Sequence, residues 1–168
     1  MTVALAGSDA DGFHFEIRPY RPGDFESLFA LDQECFVPQI AYSRDDLRYF
    51  LEAKDALSLV AEDARTAAIA GFLIAQLYRG KPTFQARIIT IDVAPALRRR
   101  HLASQLMQAC EDELRRQHVL RVRLEVAVSN TAAQTFYQRR GYQQVGTLPG
   151  YYPTGEDALS MQKSLGDE

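Results

Sequence analysis

Residues Ile88 to Met107 place a strand, a proline break and a helix in succession around three consecutive arginines. Ile88 to Val93 is β-branched, Pro95 ends the run, and Arg98, Arg99 and Arg100 follow. Leu102, Leu106, Cys110 and Leu114 then recur at helical spacing. A strand entering a helix through a basic turn brings unpaired backbone N–H groups and positive charge to one point, which suits a phosphate. The helix dipole alone disfavours cations at that end. An anionic ligand therefore accounts for the arginines better than a solvated charge run does.

Arg121 to Val128 sets Val122, Leu124, Val126 and Val128 on one face and Arg121, Arg123, Glu125 and Ala127 on the other. A central parallel strand covered by helices on both sides should not carry the second set, so a wet cleft is expected over part of it. Taken plainly, Glu125 is a surface carboxylate balanced by Arg121, Arg123 or a neighbouring strand. Tyr137 lies on a helix capped at Asn130, with Ala133 and Phe136 on its inner side. Its plain reading is a core tyrosine whose hydroxyl finds a backbone partner. Cys35 and Cys110 read as small buried apolar side chains rather than nucleophiles. His14, His101 and His118 are dispersed, so no metal is expected.

The elements that must position these residues follow from periodicity and breakers. Residues 1–12 are small, polar and acidic and are expected to form a mobile tail; a single domain is expected over 13–165. Phe13 to Arg18 alternates as a strand. Pro22-Gly23-Asp24 opens a helix with Phe25, Leu28, Phe29 and Leu31 as its stripe, running to about Phe36. Ser43 caps the next helix with Asp46 at the capping-box position, and Leu47, Phe50 and Leu51 form its buried face. Leu57–Glu62 and Ala67–Tyr78 are expected strands, the second covered on both faces. Strand Ala86–Val93 sets Ile89, Ile91 and Val93 against Ile88, Thr90 and Asp92. Helix Leu97–His118, strand Arg121–Val128, helix Thr131–Arg140 ended by Gly141, and strands Tyr142–Thr147 and Asp157–Lys163 complete the order β-α-α-β-β-β-α-β-α-β-β.

The chain has 168 residues, 46% of them apolar and 24% charged, and a net charge of −3, as a soluble globular protein would. That charge argues against a dedicated nucleic-acid binder. The longest apolar run, Ala67 to Ala75, is far short of the ~20 residues that span a bilayer, and the N-terminus lacks a signal-peptide pattern. Two cysteines make no disulfide framework, so a cytoplasmic protein is expected.

The element order, with I-D-V-A-P-x-x-R-R-R-x-L-A at its centre, resembles the GNAT superfamily of acetyl-CoA-dependent N-acetyltransferases. The blocks L-E-V-A-V-S-N-T-A-A-Q-T-F-Y-Q-R-R-G-Y and G-Y-Y-P-T-G-E-D-A-L-S-M resemble one branch of it, the ribosomal-protein alanine and N-terminal acetyltransferases. The resemblance implies an α/β fold (α+β by some schemes). Its sheet is mixed, mostly antiparallel and twisted, with a splayed central parallel pair and about four flanking helices. It implies direct acetyl transfer from acetyl-CoA, without a metal, to an amine, with the N-terminal α-amine of a protein or peptide favoured. A small-molecule amine is the first alternative, and a CoA-binding or interaction module without turnover the second. No membrane partner and a monomer or homodimer are expected.

The same resemblance assigns residues. Arg98, Arg99, Arg100, His101, Leu102, Ala103 and Ser104 match the turn that binds the CoA pyrophosphate through backbone amides. His101 stands where that family has glycine, so it should push the pyrophosphate outward or tilt the turn, unless its imidazole adds a hydrogen bond. Backbone groups of Ile91, Asp92 and Val93 would meet the acetyl carbonyl and pantetheine arm, joined by Asn130 and Ala133. Glu125 would be the general base and Tyr137 would protonate the departing thiolate. Tyr151 and Tyr152 would face Phe36, Pro38 and Tyr42 across the acceptor. An α-amine asks little of the base: with a pKa near 8, roughly a tenth is already neutral at pH 7, against almost none of a lysine side chain.

Overall fold

The computed structural model describes residues 5–8, 14–80 and 84–166, with side chains from His14 onward. Its strands are β1 (Leu5–Ser8), β2 (His14–Pro19), β3 (Ala56–Asp63), β4 (Ile69–Arg79), β5 (Phe84–Val93), β6 (Arg121–Ala127), β7 (Gln143–Leu148) and β8 (Ala158–Ser164). The helices are α1 (Phe25–Cys35), α2 (Arg44–Glu52), α3 (Leu102–Arg116) and α4 (Thr131–Arg139). The strands form one sheet in the order β1-β2-β3-β4-β5-β6-β8-β7. Every neighbouring pair is antiparallel except β5 and β6, which are parallel.

Two apolar layers sandwich the middle of this sheet. On one side α3 and α4 cover β3 to β6 and β8, burying Leu102, Leu106, Cys110 and Leu114 against Leu73, Ile88, Val122 and Leu124. On the other, Phe25, Leu28 and Leu31 of α1 and Leu47 and Leu51 of α2 bury Val60, Phe72 and Ile74. β4 lies beneath both layers, which explains its nearly unbroken apolar run. α1 packs mainly on β4 and β5 and α2 on β3 and β4, and the face of Arg121, Arg123 and Glu125 on β6 stays partly exposed. Ser43 caps α2 by accepting the Asp46 N–H at 3.1 Å. The Asp46 carboxylate accepts from the Ser43 hydroxyl at 2.7 Å, so the reciprocal half of the capping box is not made as a glutamate would make it.

Several expectations are corrected. Leu5–Ser8, read as part of a mobile tail, pairs with β2 from Leu5↔Ile17 to Ser8↔His14; the rest of 1–12 lies outside the described residues. The helix expected from Leu97 begins at Leu102. Pro95–Leu97 is one 3-10 turn, and Arg99 and His101 then take left-handed backbone, which no α-helix accommodates. Val128 falls beyond β6 and is exposed. The simple alternation of Ile88 to Val93 also fails. The register against β4 slips between Ile74 and Ala75, leaving Ile89 as an extra residue. That bulge flips the parity: Ile88, Ile91 and Val93 face α3, while Ile89 packs on the α1 side. Thr90 and Asp92 are paired with Ile74 and Phe72, both buried under α1 and α2.

The bulge lies where β5 and β6 part. Their ladder runs only through Gln85↔Arg121, Ala86↔Val122 and Arg87↔Arg123. Beyond it, Ile88–Val93 and Leu124–Ala127 diverge, and their facing main-chain groups are left for something other than each other.

Candidate active site

At the α3 end of the wedge, a cleft of about 500 Å³ is lined by Val93, Leu97, Arg98, Arg99, His101, Leu102, Ala103, Ser104, Ala132, Phe136 and Arg139. The N-terminal amides of α3 open there, since the first main-chain bond back to the turn is Gln105 N–H to His101 carbonyl at 3.0 Å. His101 has φ 60° and ψ 9°, the left-handed shape a glycine would take, so the turn keeps that shape with an imidazole attached. Leu102 is 1% exposed with its side chain in the core, which leaves its N–H as the group it can offer a ligand. Arg98 Nε donates to the Val93 carbonyl at 3.4 Å and ties the basic turn to the end of β5. Arg139 and Phe136 complete this cleft from α4; neither was singled out from sequence as a ligand contact.

On the partly exposed face, Arg87 Nε donates to Glu125 Oε2 at 2.8 Å, and Arg87 also donates to the Tyr151 hydroxyl. Of the partners left open for Glu125, the neighbouring strand supplies it: Arg87 of β5, a residue the sequence did not single out, takes the place of Arg121 or Arg123. Ser160 stands opposite Glu125 on β8, buried and with an unpartnered hydroxyl. The Tyr151 and Tyr152 rings meet edge to face at 5.0 Å. From the α1–α2 connection, Tyr42 donates its hydroxyl to the Ile89 carbonyl at 3.4 Å and its N–H to Asp32 Oδ2 at 2.8 Å. Burial holds its phenol well above the ordinary value, and the charge of Arg87 opposes that, so Tyr42, Arg87 and Tyr151 share one field. Phe36 is half-buried beside that wall and Pro38 is exposed.

Tyr137 sits between the two halves. Its ring packs edge to face on Phe136 at 5.2 Å and on Tyr142 at 5.8 Å. It is 7% exposed, and its hydroxyl has no hydrogen-bond partner among the described residues. Burial first, then Tyr152 and Asp92, push that phenol well above its usual value, so it keeps its proton. Asn130 caps α4 by accepting the Ala133 N–H at 3.1 Å, which commits its oxygen and leaves its amide N–H groups for other use.

Beneath β5, Asp92 is 1% exposed and accepts from the Thr90 hydroxyl at 2.6 Å. Burial raises it to about 7, while Asp32 on α1, also buried, is raised to about 6. Each keeps one unpartnered carboxylate oxygen. Neither was picked out from sequence as a buried charge. Gly71 on β4 was missed too: a Cβ there would lie 2.7 Å from the Asp92 carbonyl oxygen. It lets β4 press against the β5 segment that borders the wedge.

The model of the acetyltransferase (GNAT) family matches residues 25–142, which takes in the turn, the wedge and α4. The chain belongs to this family. As a GNAT N-acetyltransferase it transfers an acetyl group to an amine. It is 33% identical to N-alpha-acetyltransferase 20 of Dictyostelium discoideum, over 71% of this chain and 68% of that one. It is 34% identical to the ribosomal protein bS18-alanine N-acetyltransferase of Salmonella typhimurium, over 62% of this chain and 68% of that one. The solved Ard1 of Thermoplasma volcanium superposes with a TM-score of 0.78 at 29% identity, covering 91% of this chain and 99% of that one. The Escherichia coli ribosomal-protein-S18-alanine N-acetyltransferase gives 0.81 at 24% identity over 92% and 96%, a likeness of fold. The splayed parallel pair that the resemblance implied is β5 and β6, whose ladder ends next to the bulge at Ile89.

Proposed function

We propose that this chain acetylates the N-terminal α-amine of a polypeptide, using acetyl-CoA. The observation that carries this reading is the setting of Glu125 where β5 and β6 part, with Arg87 bound to it. Arg87 also holds the Tyr151 hydroxyl, Tyr152 packs on Tyr151, and Tyr42 lies within the field of Arg87. The relatives named above are N-alpha and ribosomal-protein alanine acetyltransferases, and structures similar to this one include a complex bound to CoA and a peptide.

Acetyl-CoA supplies the activated thioester. Amides at the start of α3, with Arg98, Arg99 and Arg139 lining the cleft and Arg100 in the same turn, are matched to its phosphates by charge and by donor chemistry. His101, Leu102, Ala103 and Ser104 contribute through the main chain. Main-chain groups of Ile91 and Val93 on the β6 side suit the amides of the pantetheine arm, with Asn130 and Ala133 on the far wall; Asp92 lies between them with its carbonyl turned to Gly71 of β4. The Val93 N–H serves the developing oxyanion in this reading. Phe36, Pro38, Tyr42, Tyr151 and Tyr152 receive the acceptor. Glu125 takes the amine proton as nitrogen bonds to the carbonyl carbon, and Tyr137 gives its proton to sulfur as the C–S bond breaks. A cytoplasmic setting fits two cysteines that form no disulfide.

Calorimetry with acetyl-CoA, followed by a thiol-release assay on short peptides with free or blocked N-termini, tests the reading. Binding with release on free N-termini alone is expected. Binding without release on any amine would leave a CoA-binding module, and absence of binding would remove the reading.

A further inference from the structure

Arg87 leaves β5 at the last pair before the wedge opens. Its side chain is 35% exposed, and the carboxylate it binds, that of Glu125, is 11% exposed. The groups facing it are Tyr78 on β4, Glu125 and Arg123 on β6, Tyr151 and Tyr152 from the β7–β8 connection, and Tyr42 from the α1–α2 connection. Burial holds the phenols of Tyr42, Tyr151 and Tyr152 above their usual value, so they carry no charge there. The charges there reduce to one carboxylate, the guanidinium bound to it, and Arg123 alongside. Glu125 Oε1 has no partner among the described residues, so one oxygen remains open to an acceptor.

A lone, mostly buried carboxylate in this position would work against itself. It would accept a proton from a neutral amine, but it would also bind an ammonium as an ion pair. Opposite charges in contact attract far more strongly at a protein surface than in bulk water. That attraction keeps the amine protonated and unreactive. A guanidinium already bound to the carboxylate cancels most of the field and leaves the second oxygen free.

We propose that Arg87 determines acceptor specificity: by neutralising Glu125 it removes the site's attraction for ammonium ions. Amines that arrive without a proton are acetylated, and amines that are almost wholly protonated at neutral pH, such as lysine side chains and polyamines, are turned away. This rests on Glu125 being the acceptor-side base.

The test compares the unaltered chain with Arg87→Gln, which removes the charge, and Arg87→Lys, which keeps it. Thiol release on a peptide with a free N-terminus is followed across pH, with spermidine as competitor. In Arg87→Gln, KM and kcat are both expected to fall several-fold, because the ammonium form now binds without reacting. The acid limb of kcat should move up by about one pH unit, the size of an ordinary charge-neighbour effect. Inhibition by spermidine should tighten about tenfold, while Arg87→Lys keeps the unaltered limb and weak inhibition. An unmoved limb with unchanged inhibition in Arg87→Gln overturns the proposal, as does Arg87→Lys behaving like Arg87→Gln. Melting curves and acetyl-CoA calorimetry establish that each variant is folded. If Arg87→Gln is not, the unaltered chain still decides: spermidine inhibition at concentrations at or below the peptide KM overturns the proposal, and weak inhibition supports it. Absence of thiol release by the unaltered chain on every peptide would instead overturn the acceptor reading, and this inference with it.

Discussion

His101 holds a conformation that costs an L residue about 1–2 kcal/mol. His101→Gly relieves that strain but adds about 0.5–1 kcal/mol of freedom to the unfolded chain. The denaturation midpoint should therefore rise only slightly. Acetyl-CoA affinity by calorimetry should rise several-fold, because a Cβ no longer stands at the amides of α3; weaker binding would instead assign a contact to the imidazole. Tyr137 poses a different question, since a buried ring is equally at home in a core. Tyr137→Phe keeps the edge-to-face packing and removes the proton. Turnover should drop about 10²-fold or more, the usual worth of a positioned acid, with acetyl-CoA affinity nearly unchanged. Unchanged turnover would make Tyr137 a packing residue.

Among the elements, β5 does the most to shape the site. One side of it is pressed on by β4 at Gly71, the bulge at Ile89 bends it, and its pairing with β6 ends at Arg87. Gly71→Ala would put a methyl 2.7 Å from the Asp92 carbonyl, and that backbone must move. A loss of about 1–3 kcal/mol in denaturant unfolding is expected for such overpacking. It should come with weaker acetyl-CoA binding, because the displaced segment borders the wedge. The periodicity of the sequence found β5 and its neighbours, since each buries a face against a helix. It could not find the bulge, because one extra residue in a β-branched run leaves no mark in composition. Ile88 and Ile89 therefore lie on the faces opposite to those that simple alternation predicts. For a similar reason α3 starts later than expected: no breaker separates Leu97 from Leu102 in the sequence, and the left-handed turn at Arg99 and His101 depends on how the chain leaves β5.

For the whole molecule, Asp32 and Asp92 set an expected pH dependence of stability. Both bind protons more tightly folded, at about 6 and about 7, than at their ordinary value of 3.8. Between about pH 4 and 7 the folded chain therefore holds more protons than the unfolded chain, and this contribution to stability falls as pH rises. It is fully present below about 4 and gone above about 7. Asp92→Asn should accordingly melt several degrees higher than the unaltered chain at pH 8 and nearly level with it near pH 4. Equal melting at both would mean that Asp92 carries no buried charge.

By itself, the sequence determined the layered order of strands and helices, the basic turn ahead of α3, the cap at Asn130 and the polar face that carries Glu125. Each of these is local: a period, a breaker, a cap or a charge pattern that neighbouring residues impose on one another. Only the tertiary structure decided which residues meet across the wedge. Arg87 reaches Glu125 and Tyr151 because β5 and β6 run parallel in one register before they part. Asp32 comes near Asp92 because α1 crosses the end of β5. Contacts between residues this far apart in the chain follow from how the layers pack, and no stretch of sequence records that alone.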